Sequence, residues 1–109
     1  MYKASELELN KLLAVTLERN ASDLHLTVGE PPILRIDSAI NRLEDYQVLS
    51  ADAITDLVGV MLTQPQKDLL AKQLHIDFSY SYKDNARFRV NIYQAQGVLN
   101  IAFRLIPTQ

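Results

Sequence analysis

The chain has 109 residues, a net charge of −2 and 48% apolar residues, which are ordinary values for one small globular domain. It contains no cysteine, which excludes disulfide frameworks, thiolate metal sites and cysteine nucleophiles. Its three glycines, Gly29, Gly59 and Gly97, are far apart, whereas a phosphate-binding loop needs clustered glycines. The printed sequence therefore contains neither a P-loop nor a dinucleotide fingerprint. It has no membrane-length apolar segment and no secretory signal pattern, so we expect a cytoplasmic protein.

The first half of the chain predicts one helix and three short strands. Ser5 is the expected N-cap of the helix, with Glu8 as its capping-box partner, and the helix should end near Asn20. Its apolar stripe is Leu9, Leu12, Leu13 and Leu17. Residues 23–28 alternate as a half-buried strand, in which Leu24, Leu26 and Val28 face the core and Asp23, His25 and Thr27 face outward. Strands 33–36 and 39–43 follow, joined by a turn at Asp37-Ser38.

The second half predicts two helices and three strands. Ser50 and Thr63 are the expected N-caps, and Pro65 lies just inside the third helix. The apolar face of the second helix is Ile54, Leu57, Val58, Met61 and Leu62, and that of the third is Leu69, Leu70 and Leu74. The strands are expected at residues 77–82, 86–95 and 98–106.

The last two strands predict a hairpin with one cationic face. Residues 85–109 carry Arg87, Arg89 and Arg104 and no acidic residue, whereas residues 1–84 carry 13 acids and 8 bases. Strand alternation places the three arginines on the face opposite Phe88 and Val90. If Gln96-Gly97 is a two-residue turn, Arg89 lies directly opposite Arg104, with Arg87 diagonal to it.

Two facing arginines destabilise a sheet by some tenths of a kcal/mol unless something compensates them. An anion over the pair would convert the repulsion into charge-assisted hydrogen bonds, and arginine is well shaped to bind phosphate. The alternative is that an acidic side chain from elsewhere, such as Asp77, neutralises the pair. From the residues alone, both interpretations remain open.

The remaining polar and aromatic residues favour structural roles. His25 and His75 are the only imidazoles; we expect His25 on the surface rather than as a metal ligand, and His75 at the end of the third helix, facing its dipole. The alternating aromatic residues Phe78, Tyr80 and Tyr82 are expected in the core. No metal site and no catalytic residue is predicted.

Five segments of the chain together resemble one protein family. Residues 21–26 (ASDLHL), 29–37 (GEPPILRID), 77–79 (DFS), 86–91 (ARFRVN) and 102–107 (AFRLIP) look like the N-terminal domain of PilT-like type IV pilus motors, within the secretion ATPases that also include GspE. The order and spacing of these segments extend over nearly the whole chain. One departure is Ser38, where the family usually has glycine, so a turn with positive φ would be mildly strained.

The resemblance implies an α+β, PAS-like fold: an antiparallel sheet of five to six strands with about three helices on one side. Residues 1–109 would form a single N-terminal domain, and the RecA-like C-terminal ATPase domain that carries the P-loop would be absent from this chain. This chain alone would then be no enzyme and would hold no cofactor. ATP and magnesium would belong to the full-length protein.

The resemblance also implies a role and partners. Arg89 and Arg104, supported by Arg87, would contact nucleotide phosphates held by the ATPase domain. The partners would be that domain, neighbouring subunits of a homohexamer and the inner-membrane platform protein of the pilus, with no nucleic acid. The protein would be cytoplasmic and peripheral at the inner membrane. A first helix so near Met1 favours the retraction type over the assembly type.

Two other classes of function compete with the motor assignment. A stand-alone PAS-like sensor or protein-interaction module has the same fold without an ATPase partner. A nucleic-acid binder is disfavoured by the acidic net charge and the absence of tryptophan. A GxxxxGK[ST] motif downstream in the full reading frame would distinguish the motor from the sensor.

Overall fold

The computed structural model describes residues 3–83 and 86–107 of the chain. Its helices are α1 (Lys3–Glu18), α2 (Ala51–Met61) and α3 (Gln64–Gln73). Its strands are β1 (Asp23–Leu26), β2 (Ile33–Ile36), β3 (Ala39–Arg42), β4 (His75–Tyr82), β5 (Ala86–Ala95) and β6 (Val98–Ile106). The predicted order of elements and the α+β class with a six-stranded antiparallel sheet are both confirmed.

The sheet order is β3-β2-β1-β6-β5-β4, and every neighbouring pair is antiparallel. The first strand of the chain therefore pairs with the last, and β1 lies between β2 and β6. This long-range pairing brings residue 23 opposite residue 104. It joins two three-stranded meanders, β1–β3 and β4–β6, into one sheet.

The core lies between the helices and one face of the sheet. Leu9, Leu12 and Leu13 of α1 are fully buried, as are Phe88 and Phe103 of the central hairpin. The two phenylalanine rings pack edge to face, with centroids 6.1 Å apart and planes at 88°, a favourable aromatic geometry. The helices therefore cover the apolar face and leave the opposite face of the sheet open.

Two of the three predicted helix N-caps are confirmed. The Ser50 side chain accepts a hydrogen bond from the backbone N–H of Ala53, and Thr63 forms a capping box with Gln66. The prediction for Ser5 was wrong, because α1 already begins at Lys3 and Ser5 lies within its first turn.

The predicted apolar face of α3 was only partly right. Leu70 is buried, but Leu69 and Leu74 are 41% and 51% exposed. The helix packs on β4, which is an edge strand, so the sheet covers only a narrow stripe of it. Leu74 is the C-cap of α3 in the left-handed conformation, which separates His75 from the helix. His75 begins β4 instead of ending α3, contrary to the prediction.

The two predicted hairpin turns are confirmed, and both have positive φ at their two central residues. These φ angles are 50° and 69° at Asp37 and Ser38, and 54° and 81° at Gln96 and Gly97. This sign pattern is that of the type I′ turn, whose twist matches antiparallel strands. Ser38 therefore adopts the conformation that glycine adopts without strain. Within residues 3–83 and 86–107, no helix has the length and hydropathy needed to cross a bilayer.

Candidate functional site

A row of charged side chains crosses the open face of the sheet at its centre. Asp23 on β1 pairs with Arg35 on β2 on one side and with Arg104 on β6 on the other. Arg104 in turn pairs with Arg89 on β5. Neighbouring strands are about 4.8 Å apart, so these four residues occupy consecutive positions across the sheet. We call this set the charged row; it contains three arginines and one aspartate.

The predicted register of the C-terminal hairpin is confirmed residue by residue. Ala95 pairs with Val98, and Arg89 pairs with Arg104. Arg87, two residues along β5, pairs with Ile106 and also lies on the open face. All three arginines are exposed. Among the residues that the structure describes, Arg87 and Arg89 have no hydrogen bond or ion pair from their side chains.

Arg104 has a carboxylate partner on the other side. Its Nε donates a hydrogen bond to Oδ2 of Asp23 across 3.2 Å. The other carboxylate oxygen, Oδ1, accepts a hydrogen bond of 2.6 Å from the hydroxyl of Ser22. The Asp23 side chain is only 9% exposed, whereas that of Arg104 is 73% exposed. The side chain of Arg104 is therefore anchored at Nε and exposed to solvent over most of its surface.

The environment of Asp23 favours its ionised form. Burial by itself raises the pKa of Asp23, but hydrogen bonds from Ser22 and Arg104, with the positive charges of Arg104 and His25, more than offset this. The net result is a pKa for Asp23 below its ordinary value. Asp23 is thus a charged group under most solution conditions, and its charge offsets that of only one of the facing arginines.

The carboxylate suggested by the sequence, Asp77, does not neutralise the arginine pair. Asp77 pairs with Asn91 across β4 and β5, and its Oδ1 accepts a hydrogen bond of 2.9 Å from the Asn91 amide. Asp23 occupies the neutralising position instead, and of the two facing arginines it neighbours only Arg104. The anion-binding interpretation therefore depends on Arg89 and on the part of Arg104 that Asp23 leaves free.

A shallow depression of about 230 Å³ lies beside the arginine pair. It is lined by Asp23, His25, Arg89, Asn91, Ala102, Phe103 and Arg104. His25 and Asn91 lie in the next row of the sheet, on either side of Ala102. The small side chain of Ala102 leaves room between them, and the rim combines two guanidinium groups, an imidazole and an amide. These groups can donate hydrogen bonds to an anion.

A larger cleft of about 630 Å³ lies elsewhere, between α1, α2 and residues 45–50. Its charged lining residues are Glu8, Lys11, Asp45 and Asp56, and none of the predicted site residues lines it. Within residues 3–83 and 86–107, no group of three or more His, Asp or Glu side chains is arranged to hold a metal ion. The arginine-bearing face is therefore the candidate site.

Sequence reasoning had missed Asp23 and Arg35 as members of the site. Alternation had placed Asp23 on the outward side of its strand, but it indicated neither the burial of Asp23 nor its partner. Strand alternation could have placed Arg35 on the open face, because it follows buried Leu34 on the same strand. Asp23 and Arg35 come beside Arg104 only through the pairing of β1 with β6, which joins residues 81 positions apart in the chain.

Comparison with known proteins connects this fold and face to one family. The chain is 31% identical over 103 residues to the type IV pilus retraction ATPase PilT of Pseudomonas aeruginosa, a match that covers 94% of the chain and 30% of PilT. It is 26% identical over 102 residues to the type IV pilus ATPase PilU of the same organism, covering 94% of the chain and 26% of PilU. No model of a known protein family matches the chain.

Structural comparison gives the same relationship. The crystal structure of the pilus retraction motor PilT with bound ADP superimposes with a TM-score of 0.85 and 30% identity, over 92% of this chain and 29% of that one. The chain is homologous to the N-terminal domain of the PilT-type secretion ATPases. The α+β fold predicted from the resemblance is therefore that of the PilT N-terminal domain. The chain spans 26–30% of the length of the PilT and PilU relatives.

Proposed function

We propose that this chain is the N-terminal domain of a hexameric PilT-like ATPase that powers type IV pilus retraction, the basis of twitching motility. Homology to pilus ATPases along almost the whole chain supports this assignment. A RecA-like ATPase domain would bind ATP and magnesium and perform the hydrolysis. The 109-residue sequence contains no P-loop, so in this proposal the domain acts on a nucleotide that the ATPase domain holds.

The proposal rests chiefly on one observation: Arg89 and Arg104 face each other on the open side of the sheet. Their exposed guanidinium groups would donate hydrogen bonds to the β- and γ-phosphates when the ATPase domain approaches this face. Arg87, on the same side of β5, would add positive potential at the edge of the contact. The phosphates would in turn relieve the repulsion between the two facing arginines.

The proposed role of the domain is regulatory. When the two domains close, the arginines reach the phosphates, where they stabilise the charge that develops during phosphoryl transfer. Opening of the domains withdraws them, so turnover depends on domain position. The movement of the domain against its ATPase partner would thus be coupled to the state of the nucleotide.

The partners follow from the same assignment. They are the ATPase domain of the same protein, neighbouring subunits of a homohexamer and a pilus platform protein in the inner membrane. The protein would work in the cytoplasm, peripherally at that membrane. A net charge of −2 gives no support to nucleic acid as a partner.

The test uses the full-length protein with Arg89→Ala and Arg104→Ala. Each variant is expected to bind nucleotide, because the P-loop provides most of that affinity, and to lose turnover by about 10–10³-fold, less than the loss for a single dedicated arginine finger. The control is Arg19→Ala, an exposed arginine that follows α1 and lies outside the sheet. Wild-type turnover in both test variants would contradict the proposal.

A further inference from the structure

We infer that Asp23 is a positioning residue for Arg104, which holds the Nε side of the guanidinium so that its Nη edge faces away from the sheet. The inference deepens the proposed function and rests on it, because it assigns the Nη edge to the nucleotide phosphates. It concerns a residue that would touch no nucleotide itself and would act only through Arg104.

The contact has the geometry of a fixed support. Asp23 and Arg104 are Cα partners on β1 and β6, so the backbone ladder sets the distance between them. Oδ2 of Asp23 accepts the hydrogen bond from Nε, and Oδ1 accepts one from Ser22. Both carboxylate oxygens are thus engaged, and the aspartate is 6% exposed. A buried carboxylate held on both oxygens cannot readily follow a moving arginine.

The hydrogen bond also uses the right part of the guanidinium. An arginine side chain has five N–H donors in one plane, one on Nε and four on the two Nη atoms. Asp23 engages Nε, while 73% of the Arg104 side chain remains exposed. A bidentate contact with a phosphate requires two parallel N–H donors, and the Nη atoms supply such a pair. Binding Asp23 and binding an anion are therefore compatible.

The support is needed because of Arg89. The two arginines are directly opposite, so repulsion favours rotamers that separate their guanidinium groups. A free arginine also loses much rotamer entropy when it is ordered by a ligand. Asp23 attracts Arg104 from the opposite side of the row and orders it before the nucleotide arrives. This preorganisation is the expected benefit of placing an acid in a site for anions.

If Asp23 had a different role, its removal would change the contact with phosphates in the opposite direction. If Asp23 only neutralised positive charge, its removal would raise the potential at the site and strengthen contact with polyanionic phosphates. If Asp23 positions Arg104, removing its charge weakens that contact even though the site becomes more positive. Asp77→Asn is the matched control, because it removes one negative charge from the same face at a residue bonded to Asn91.

The first measurement uses the 109-residue chain and observes the arginine Nε–H groups by ¹⁵N NMR. The Arg104 signal is expected to exchange slowly with solvent in the wild type and in Asp77→Asn, and to exchange at least about tenfold faster in Asp23→Asn. The Arg89 signal should exchange rapidly in all three proteins. Fast exchange of the Arg104 signal in the wild type would overturn the inference without bearing on the proposed function.

The second measurement is a double-mutant cycle on ATP turnover in the full-length protein. Asp23→Asn is expected to lower turnover by about tenfold, the order of the losses found when residues that orient metal-binding side chains are mutated. When Arg104 is already alanine, Asp23→Asn should have no further effect. Unchanged or raised turnover, or an equal loss in both backgrounds, would overturn the positioning role. If both Arg89→Ala and Arg104→Ala left turnover unchanged, the proposed function would fail, and the NMR result would decide the role of Asp23 separately.

Discussion

Arg89 and Arg104 are Cα partners on neighbouring antiparallel strands, so their side chains leave the same face of the sheet at adjacent positions. Asp23, on the far side of Arg104, offsets one of the two positive charges and leaves Arg89 without a partner among the described residues. The arginine pair is thus partly compensated within the domain. The remaining positive charge is available to a ligand. The effect of each arginine on the stability of the domain can be measured.

The stability of the 109-residue chain should respond differently to the two arginines. Arg104→Ala leaves the buried carboxylate of Asp23 without its cation, so the free energy of unfolding should fall by about 1 kcal/mol, as for a partly exposed ion pair. Arg89→Ala removes only a like-charge contact and should leave stability unchanged or raise it by some tenths of a kcal/mol.

Urea unfolding followed by circular dichroism measures both effects. Arg87→Ala is the control, since Arg87 pairs with an apolar residue, Ile106. If Arg104→Ala lowered the free energy of unfolding by several kcal/mol, Arg104 would be required for the stability of the fold. In that case the assignment of Arg104 to a phosphate would fail.

The pKa of Asp23 predicts an acid-dependent loss of stability. The folded-state pKa of Asp23 lies below its ordinary value of 3.8, which we take for the unfolded chain. The ionised form therefore contributes stability that is fully present above that unfolded value and is lost as the pH falls through the folded pKa. Unfolding measured between about pH 6 and pH 2 should show a smaller decrease below pH 4 for Asp23→Asn than for the wild type. Parallel curves for the two proteins would contradict this.

The Asp37-Ser38 turn offers a gain in stability. Ser38 has φ of +69°, a conformation that costs a side-chain-bearing residue about 1–2 kcal/mol. Ser38→Gly should raise the free energy of unfolding by about 0.5–1 kcal/mol, after the entropy cost of glycine in the unfolded chain. Ser38→Ala, which keeps the Cβ atom, is the control and should give no gain.

The second turn provides the reverse substitution. A Cβ atom added at Gly97 would meet no atom within 4 Å beyond its two chain neighbours, and φ there is +81°. Any cost of Gly97→Ala therefore comes from the backbone and should be about 1 kcal/mol. If both Ser38→Gly and Gly97→Ala were neutral, backbone strain would not explain the residue choice at these turns.

Much of the fold could be predicted because local signals agreed with each other. The Gln96-Gly97 turn fixed the register of the last hairpin, and the same register paired Phe88 with Leu105 and Val90 with Phe103. Helix caps were predictable where a capping residue preceded the apolar run, as at Ser50 and Thr63. The exposure of Leu69 could not be predicted, because it depends on α3 lying over an edge strand.

The candidate site was predictable only within one hairpin. Arg87, Arg89 and Arg104 share a face by strand parity, which needs no knowledge of the rest of the fold. Asp23 reaches Arg104 through the pairing of β1 with β6, and parity places no constraint on which distant strands become neighbours. The sequence therefore predicted the positive charges and could not predict the carboxylate that orders one of them.

The central claim is that Arg89 and Arg104 contact nucleotide phosphates held by an ATPase domain. The most direct measurement is a structure of the full-length hexamer with a bound ATP analogue and magnesium. We expect guanidinium nitrogens of both arginines within about 2.7–3.2 Å of phosphate oxygens in the closed subunits. If both guanidinium groups lay beyond about 8 Å from every phosphate in all subunits, outside even screened charge contact, the claim would be contradicted.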